Sequence, residues 1–395
     1  MIEYVVLLLI GVVLGTFTGL TPGIHTNLLV VFLLSLSQTI LDIVSLEALM
    51  IFIVSMSITH TFLSTIPSIY LGAPEPGTSV SILPGHKMLL DGKGYEAVKL
   101  TILGSLLSVI ISFFLYPVFT SIISFLYTSL QSYIGHLLIV VSFFLILRNE
   151  KKWWSALLFI LTGLVGFIVL ESNMKEPLFP MLTGLFGIST LVFSLKGDTT
   201  FPSQTITSSI DVEEKQTWSN SFLGTIAGFI TCILPGLGSS TAAVICSLIK
   251  KENDVKYFLI MIGSITTVNF FMSLGAAEVI QKARNGSVVG LLSLHQILPY
   301  DILLFTAVIA SGVSGLIALY LAKYMIRVVT NIDYRFLVKS LIFFLLLLVY
   351  VLTGFTGMYV VLLSFLLGYM TNVLGVSRNV MMASIIVPVA TFFLT

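Results

Sequence analysis

The sequence predicts an all-α polytopic membrane protein built as two inverted-topology repeats, each a broken helix or hairpin followed by about five transmembrane helices. Three observations carry this. Of the 395 residues, 57% are hydrophobic and 9% charged, where a soluble domain carries about 25% charged residues; mean hydropathy is +1.08. Apolar runs recur from end to end, each near the ~20 helical residues that cross a hydrocarbon core. They are continuously apolar, whereas a barrel strand alternates because its lumen face is polar. One glycine and Pro-Gly pattern also occurs twice, once in each half.

The elements follow from apolar runs broken by charge, Gly and Pro. Ile2 to Ile40 is apolar but interrupted by Leu20-Thr21-Pro22-Gly23. Its only early charge is Glu3 and no small-x-small cleavage site follows, so it reads as a first membrane segment rather than a signal peptide. Ser45 to Leu71 is the next span, and Gly72 to Gly94 a polar loop. Tyr95 to Tyr127, Ile134 to Leu147, Trp153 to Leu170 and Leu178 to Leu195 complete repeat one, residues 1–195. Residues 196–217 are polar, carry Asp198, Asp211, Glu213 and Glu214, and read as the linker. Repeat two, residues 218–395, opens with Trp218 to Ile249, interrupted by Leu234-Pro235-Gly236. Tyr257 to Ile280, Leu298 to Ile326, Leu337 to Thr353, Met358 to Leu374 and Val380 to Leu394 follow. No soluble domain is expected.

The halves match in letters. Gly11-x-x-x-Gly15-x-x-x-Gly19-x-x-Pro22-Gly23 reappears as Gly224-x-x-x-Gly228-x-x-x-Cys232-x-x-Pro235-Gly236 at one fixed offset. Gly-x-x-x-Gly alone marks close helix packing; it does not account for the shared Pro-Gly.

Cytoplasmic loops collect Lys and Arg. The basic loops hold Lys250, Lys251 and Lys256; Lys323, Arg327, Arg335 and Lys339; Arg148, Lys151 and Lys152; and Lys87, Lys93 and Lys99. Leu41 to Glu47 carries Asp42 and Glu47 and no base. If each interrupted segment is a hairpin that enters and leaves on one side, all four basic loops fall inside. The equivalent loops 42–47 and 250–256 then fall on opposite sides, so the halves are inverted, as in many secondary transporters. Trp153, Trp154 and Trp218 at segment starts suit interfacial anchoring.

Composition also excludes. With 19 basic and 18 acidic residues the formal charge is +1, and no basic stripe suggests nucleic acid. Cys232 and Cys246 lie in apolar stretches and read as small buried residues; the five histidines are scattered, and no metal-ligand cluster is expected. Gly236-Leu237-Gly238-Ser239-Ser240 lacks the Lys and the preceding strand of a phosphate loop. No enzyme and no ATP-driven transport on this chain is expected.

The candidate site is built on the two Pro-Gly breaks. Pro cannot continue a helix cleanly, and unwound backbone in the bilayer persists only where protein or water covers it. After each break the chain restarts with N-cap residue types: His25, Thr26 and Asn27 in one half, Gly238, Ser239, Ser240 and Thr241 in the other. Helix N-termini offer free N–H groups and partial positive charge, so Pro22, Gly23, His25, Thr26 and Asn27 would form one wall of an anion site. Pro235, Gly236, Gly238, Ser239 and Ser240 would form the other. A second polar stretch joins them: Ser55, Ser57, Thr59, His60, Thr61, Ser64 and Thr65 in half one, Ser264, Thr266, Thr267 and Asn269 in half two. Of these, Thr59, His60, Thr267 and Asn269 are assigned to the site. His25 and His60 are the intramembrane groups that titrate near neutrality, although a hydrogen-bonded packing role suits them better. No Lys or Arg is expected in mid-span, and Glu278 falls near a span end. The stretch Gly72 to Thr78 is either a plain turn or irregular backbone lining the substrate path.

These motifs resemble the large permease subunit of tripartite tricarboxylate transporters, the TctA family. The likeness rests on Gly15-x-x-x-Gly19-x-x-Pro22-Gly23, on Pro76-Gly77-Thr78, Pro84-Gly85-His86-Lys87-Met88 and Gly92-Lys93-Gly94-x-x-Ala97, and on Leu234-Pro235-Gly236-Leu237-Gly238. The chain is shorter than is usual for that family, and 269–277 lacks the Pro-Gly that members carry after the second polar helix. The resemblance implies ion-coupled uptake of carboxylates across the cell membrane, with Na+ or H+ as coupling ion and no other cofactor. It also implies a small membrane subunit and an extracytoplasmic binding protein as partners; a homo-oligomer is left open. The reading is therefore a secondary transporter of a small anion, first a di- or tricarboxylate. The rivals are a translocase (flippase) of a phosphorylated lipid carrier and a membrane scaffold without transport.

Overall fold

The computed structural model describes residues 2–21, 30, 33, 37–72, 82–174, 177–195, 202–233, 239–250, 254–283, 285–294, 300–330 and 333–394. Regular structure among them is helical throughout. In chain order the helices are α1 (Ile2–Leu20), α2 (Ser37–Leu41), α3 (Leu46–Leu63), α4 (Thr65–Tyr70), α5 (Ile82–Leu90), α6 (Gly94–Leu130), α7 (Ile134–Leu147), α8 (Lys152–Leu170) and α9 (Leu178–Leu182). A π-helical turn, Thr183–Ile188, joins α9 to α10 (Ser189–Ser194). The second half has α11 (Glu214–Ile233), α12 (Ser239–Ile249), α13 (Val255–Ile280), α14 (Gly286–Ser293), α15 (Tyr300–Thr330), α16 (Tyr334–Leu374) and α17 (Ala383–Leu394). Seven helices, with α3 and α4 counted as one, are long and apolar enough to cross a membrane. Their outward faces carry Phe114, Phe125, Leu316, Phe343 and Val351 exposed, which suits lipid and not water.

Local chemistry sets the element ends. Ser45 and Asp254 cap α3 and α13 by accepting the N–H of Ala48 and Lys256. Gly354, at φ 64° and ψ −157°, divides α16 into two arms, 334–353 and 355–374. Both arms pack on the 178–194 segment through Val338, Leu341, Leu345 and Val361. The two separate spans read from the sequence are thus joined by one residue whose backbone angles favour glycine. The polar loop 72–94 and the connection 281–297 are not wholly irregular, since each contains a short helix, α5 and α14. Residues 202–213 lack regular structure yet lie as a strap along half one: Gln204 accepts from Gly94 N–H, and Lys99 donates to the carbonyls of Thr207, Ser208 and Ser209.

The helices divide into an inner and an outer group, each drawn from both halves. In the inner group α1 lies on α3, α11 on α13, α13 on α6 and α15 on α3, and a single apolar core runs from Leu49 and Phe62 to Phe229 and Phe271. In the outer group α17 packs on α7 and α8, and α16 on the 178–194 segment. Two inner helices are the covered ones: 94% of the 46–70 window is buried and 83% of the α13 window, against 28% for α1 and 22% for 338–374.

Contacts also fix the ends. Ser45 N–H donates to Glu3 Oε1 at 2.7 Å, so the chain that left through α1 has returned to its starting level before α3 begins. Tyr257 Oη, beside Glu213 N at 3.0 Å, closes the same circuit in half two. Tyr70 Oη donates to Ala322 O, Gly94 sits against Ile326, and Lys256 lies 3.6 Å from Glu96. The C-terminal end of α4 and the N-terminal end of α13 therefore lie at one end of the molecule, with Lys87, Lys93, Lys99, Lys250, Lys256, Lys323 and Arg327. At the other end Tyr116 donates to Glu278 and Lys282 to Tyr127.

Candidate functional site

The inner group repeats one contact set. A constant shift in the first helix carries Gly11 to Gly224, Gly15 to Gly228, Thr18 to Thr231 and Gly19 to Cys232. Another constant shift in the second carries Phe52 to Met261, Ser55 to Ser264, Met56 to Ile265, Thr59 to Val268, His60 to Asn269 and Ser64 to Ser273. The contacts obey both shifts. A Cβ on Gly11 would meet Ser55 and Phe52 O, and on Gly224 it would meet Ser264 and Met261 O. A Cβ on Gly15 would meet Met56 O and Thr59, and on Gly228 it would meet Ile265 O and Val268. The missing side chains let α1 and α11 lie backbone to backbone on α3 and α13.

Polar side chains follow the same rule. Thr18 donates to Gly15 O and its Oγ1 lies 3.1 Å from His60 Nδ1; Thr231 donates to Gly228 O and accepts from Asn269 Nδ2 at 3.2 Å. Because each threonine proton is committed to its own helix, the partner has to be the donor. One turn on, Gly19 touches Leu63 and Ser64, and Cys232 Sγ lies 3.7 Å from Ser273 Oγ. Cys232 and Cys246 are both buried and unlinked.

Each pair stands beneath a break. α1 ends at Leu20 and α11 at Ile233, one residue short of the Leu-Thr-Pro-Gly and Leu-Pro-Gly stretches or within them. Pro22, Gly23, His25, Thr26, Asn27, Pro235, Gly236 and Gly238, and the side chain of Ser240, lie outside the described residues. Ser239 opens α12 and is buried. Thr59 is fully buried and accepts from Ser314 of α15 at 2.8 Å, a bond between the halves. Thr267 is fully buried, and its hydroxyl has no hydrogen-bond partner among the described residues. Along 48–70 only Thr61 is more than slightly exposed, and along 259–277 only Thr266 and Asn269. Water or a ligand thus reaches these two covered helices at polar side chains. Thr61 and Thr266 had no sequence signal separating them from neighbouring hydroxyls; what singles them out is access.

In the loop after the second span, His86 Nδ1 lies 3.0 Å from Ile69 O and Gly85 is packed on Ile69. Burial lowers the proton affinity of His86 below the ordinary imidazole range, against a raising effect of the Ile69 carbonyl. Residues 73–81 lie outside the described residues, so Pro76-Gly77-Thr78 is placed by sequence only.

Residues 5–383 match the tripartite tricarboxylate transporter TctA family. The chain belongs to that family. It is also 32% identical over 399 residues to an uncharacterized protein of Methanocaldococcus jannaschii, covering 98% of each chain. No solved structure matches it. A TctA protein is a transporter component and not an enzyme, and its apolar helices make this one a multi-pass protein of the cell membrane. TctA components work in tripartite systems with partner subunits, a binding protein among them.

Proposed function

We propose that this TctA protein is the ion-coupled permease of a small anion, first a di- or tricarboxylate, held between the two broken helices near the bilayer midplane. The observation that supports it best is the paired geometry of Thr18 with His60 and Thr231 with Asn269, each directly below a Pro-Gly break. Equivalent helices that carry equivalent polar pairs argue for two walls of one site, residues 22–27 and 235–240. The halves, 1–195 and 218–395 with 196–217 between them, are taken as inverted. In support, α4 ends where its counterpart's span, α13, begins. The coupling ion is Na+ or H+, and a small membrane subunit and an extracytoplasmic binding protein are the partners expected of the assembly.

The test is a binding screen on purified protein by thermal unfolding. Di- and tricarboxylates are compared with inorganic and lipid phosphates, with and without sodium, at two pH values. Stabilisation by carboxylates alone, lost when Pro22-Gly23 or Pro235-Gly236 is replaced by Ala-Ala in a protein that stays monodisperse, is the expected result. A response to lipid phosphates alone would replace the carboxylate with a lipid carrier headgroup. Loss of folding without any ligand response in the wild type would leave a packing role for the breaks.

A further inference from the structure

A cavity of about 650 Å3 opens between the inner and outer helix groups. Ser247 and Phe258 reach it from the inner group, and Arg148, Asn372, Arg378 and Asn379 from the outer. Arg378 is 7% exposed. Its Nη2 donates to Phe186 O at 2.9 Å and to Thr190 Oγ1, both on the segment that carries the π-helical turn. The Phe186 ring lies 5.9 Å from the guanidinium carbon. These contacts fix the plane of the group. Nε and Nη1 are covered and have no hydrogen-bond partner among the described residues. An arginine carries five N–H donors and stays charged, and this one lines the cavity with Nε and Nη1 covered and unpartnered among the described residues. A charge buried without a counter-charge is strongly unfavourable. No carboxylate among the described residues pairs with it; Glu150, the one carboxylate among the described residues at the cavity, is exposed and is outweighed by Arg148 and Arg378.

We propose that Arg378 is the centre of a second anion site, at the end of the molecule that carries the basic loops, and that its ligand is an oxyanion: a carboxylate or a phosphate. The location follows from Lys151, whose ammonium donates to Leu374 O beside the cavity, and from Asn149, which accepts from Ser377 N–H. Arginine matches such oxygens better than lysine because its planar donors are pre-set. The site stands on different residues from the broken helices, so either can fail without the other. Two sources offer the same chemistry: a soluble carboxylate or phosphate, and the phosphate of an anionic lipid headgroup at the membrane surface.

The test uses full-length protein, delipidated and placed in phosphatidylcholine nanodiscs. Thermal unfolding is followed with added citrate, with added inorganic phosphate, or with phosphatidylglycerol replacing a third of the lipid. At least one arm should raise the wild-type Tm by several degrees, Arg378→Gln should remove the part of that rise that survives the Pro-Gly replacements, and Arg378→Lys should keep some of it. A rise with phosphatidylglycerol only assigns the lipid source; a rise with citrate or phosphate assigns the soluble one. Ser377→Cys supplies a readout that does not alter Arg378. A thiol reagent should label it several-fold more slowly when the effective anion is present. Absence of stabilisation and of protection in every arm, or a rise that Arg378→Gln leaves intact, would overturn the proposal. If citrate stabilisation survives Arg378→Gln but not the Pro-Gly replacements, the broken-helix site stands and this one falls.

Discussion

Thr18 with His60 and Thr231 with Asn269 occupy equivalent places, yet one pair has an imidazole where the other has an amide. Both threonines spend their proton on the helix turn below, so the position requires a donor and not a particular residue. The imidazole Nδ1 and the amide Nδ2 both reach it. The geometry is the same in the two halves while the chemistry differs. The glycine seams differ in the same direction. A Cβ on Gly15 would lie 2.4 Å from Met56 O, whereas on Gly228 its nearest neighbour would be Val268 Cβ at 2.8 Å. Half one is the more tightly seated of the two.

The strongest way to break this arrangement is to separate the halves where they cross. A Cβ on Gly104 would stand 1.9 Å from Ile260 O, and on Gly263 2.1 Å from Thr101 O. Ser264 and Ser105 bind the same crossing by donating to Gly104 O and Gly263 O. Backbone cannot yield as a side-chain tip can. Overpacking costs about 1–3 kcal/mol and sometimes more, so Gly104→Ala should lie at or beyond the top of that range. Thermal unfolding in detergent, or the fraction recovered monodisperse, reads it. Next comes the direct comparison of halves: Gly15→Ala should cost more than Gly228→Ala, both within about 1–3 kcal/mol. Equal losses would mean that the tighter spacing in half one is taken up by relaxation.

Much of this was legible in the letters. The hydropathy fixed the membrane class, and Gly11, Gly15, Pro22 and Gly23 against Gly224, Gly228, Pro235 and Gly236 exposed the repeat. Ser45 on Glu3 brings the start of the second span back beside the start of the first. The matching of His60 with Asn269 was hidden, because the stretch between the first two helices is shorter in half two and the second helix follows a different shift. Unlike residues at matched positions, such as Thr59 and Val268, leave no trace in a letter comparison. Arg378 was missed for another reason. It lies between two spans, where a charge is ordinarily solvated, and only the fold reveals that it is covered. The helices 82–90 and 286–293 were missed because Pro, Gly and polar residues around them favour loops.

The paired hydrogen bonds give the next smaller effect. Thr18→Val and Thr231→Val should each cost about 1 kcal/mol, the net worth of a typical hydrogen bond. His60→Asn, which copies the half-two donor, should cost less than Thr18→Val. Uptake measured against pH in proteoliposomes then sharpens the comparison. If His60 serves packing, the profile of His60→Asn keeps the wild-type shape; a flattened profile would assign the proton coupling to half one.

The smallest stability change should come from Thr267, and it is the most informative about ligand. The shift that carries His60 to Asn269 carries Ile58 to Thr267, and Ile58 is fully buried. Half two thus places a hydroxyl where half one has hydrocarbon, and that hydroxyl has no partner among the described residues. Replacing an unpartnered buried polar group by an apolar one of the same shape is close to neutral or stabilising. Thr267→Val should therefore leave the Tm unchanged or raise it, by the equivalent of about 1 kcal/mol at most. A residue kept against such a gain needs a function that stability does not measure. If the hydroxyl donates to the anion, Thr267→Val weakens carboxylate stabilisation several-fold in a protein that unfolds no earlier. Undiminished carboxylate response in that variant would remove Thr267 from the site and leave Asn269 as the half-two contact.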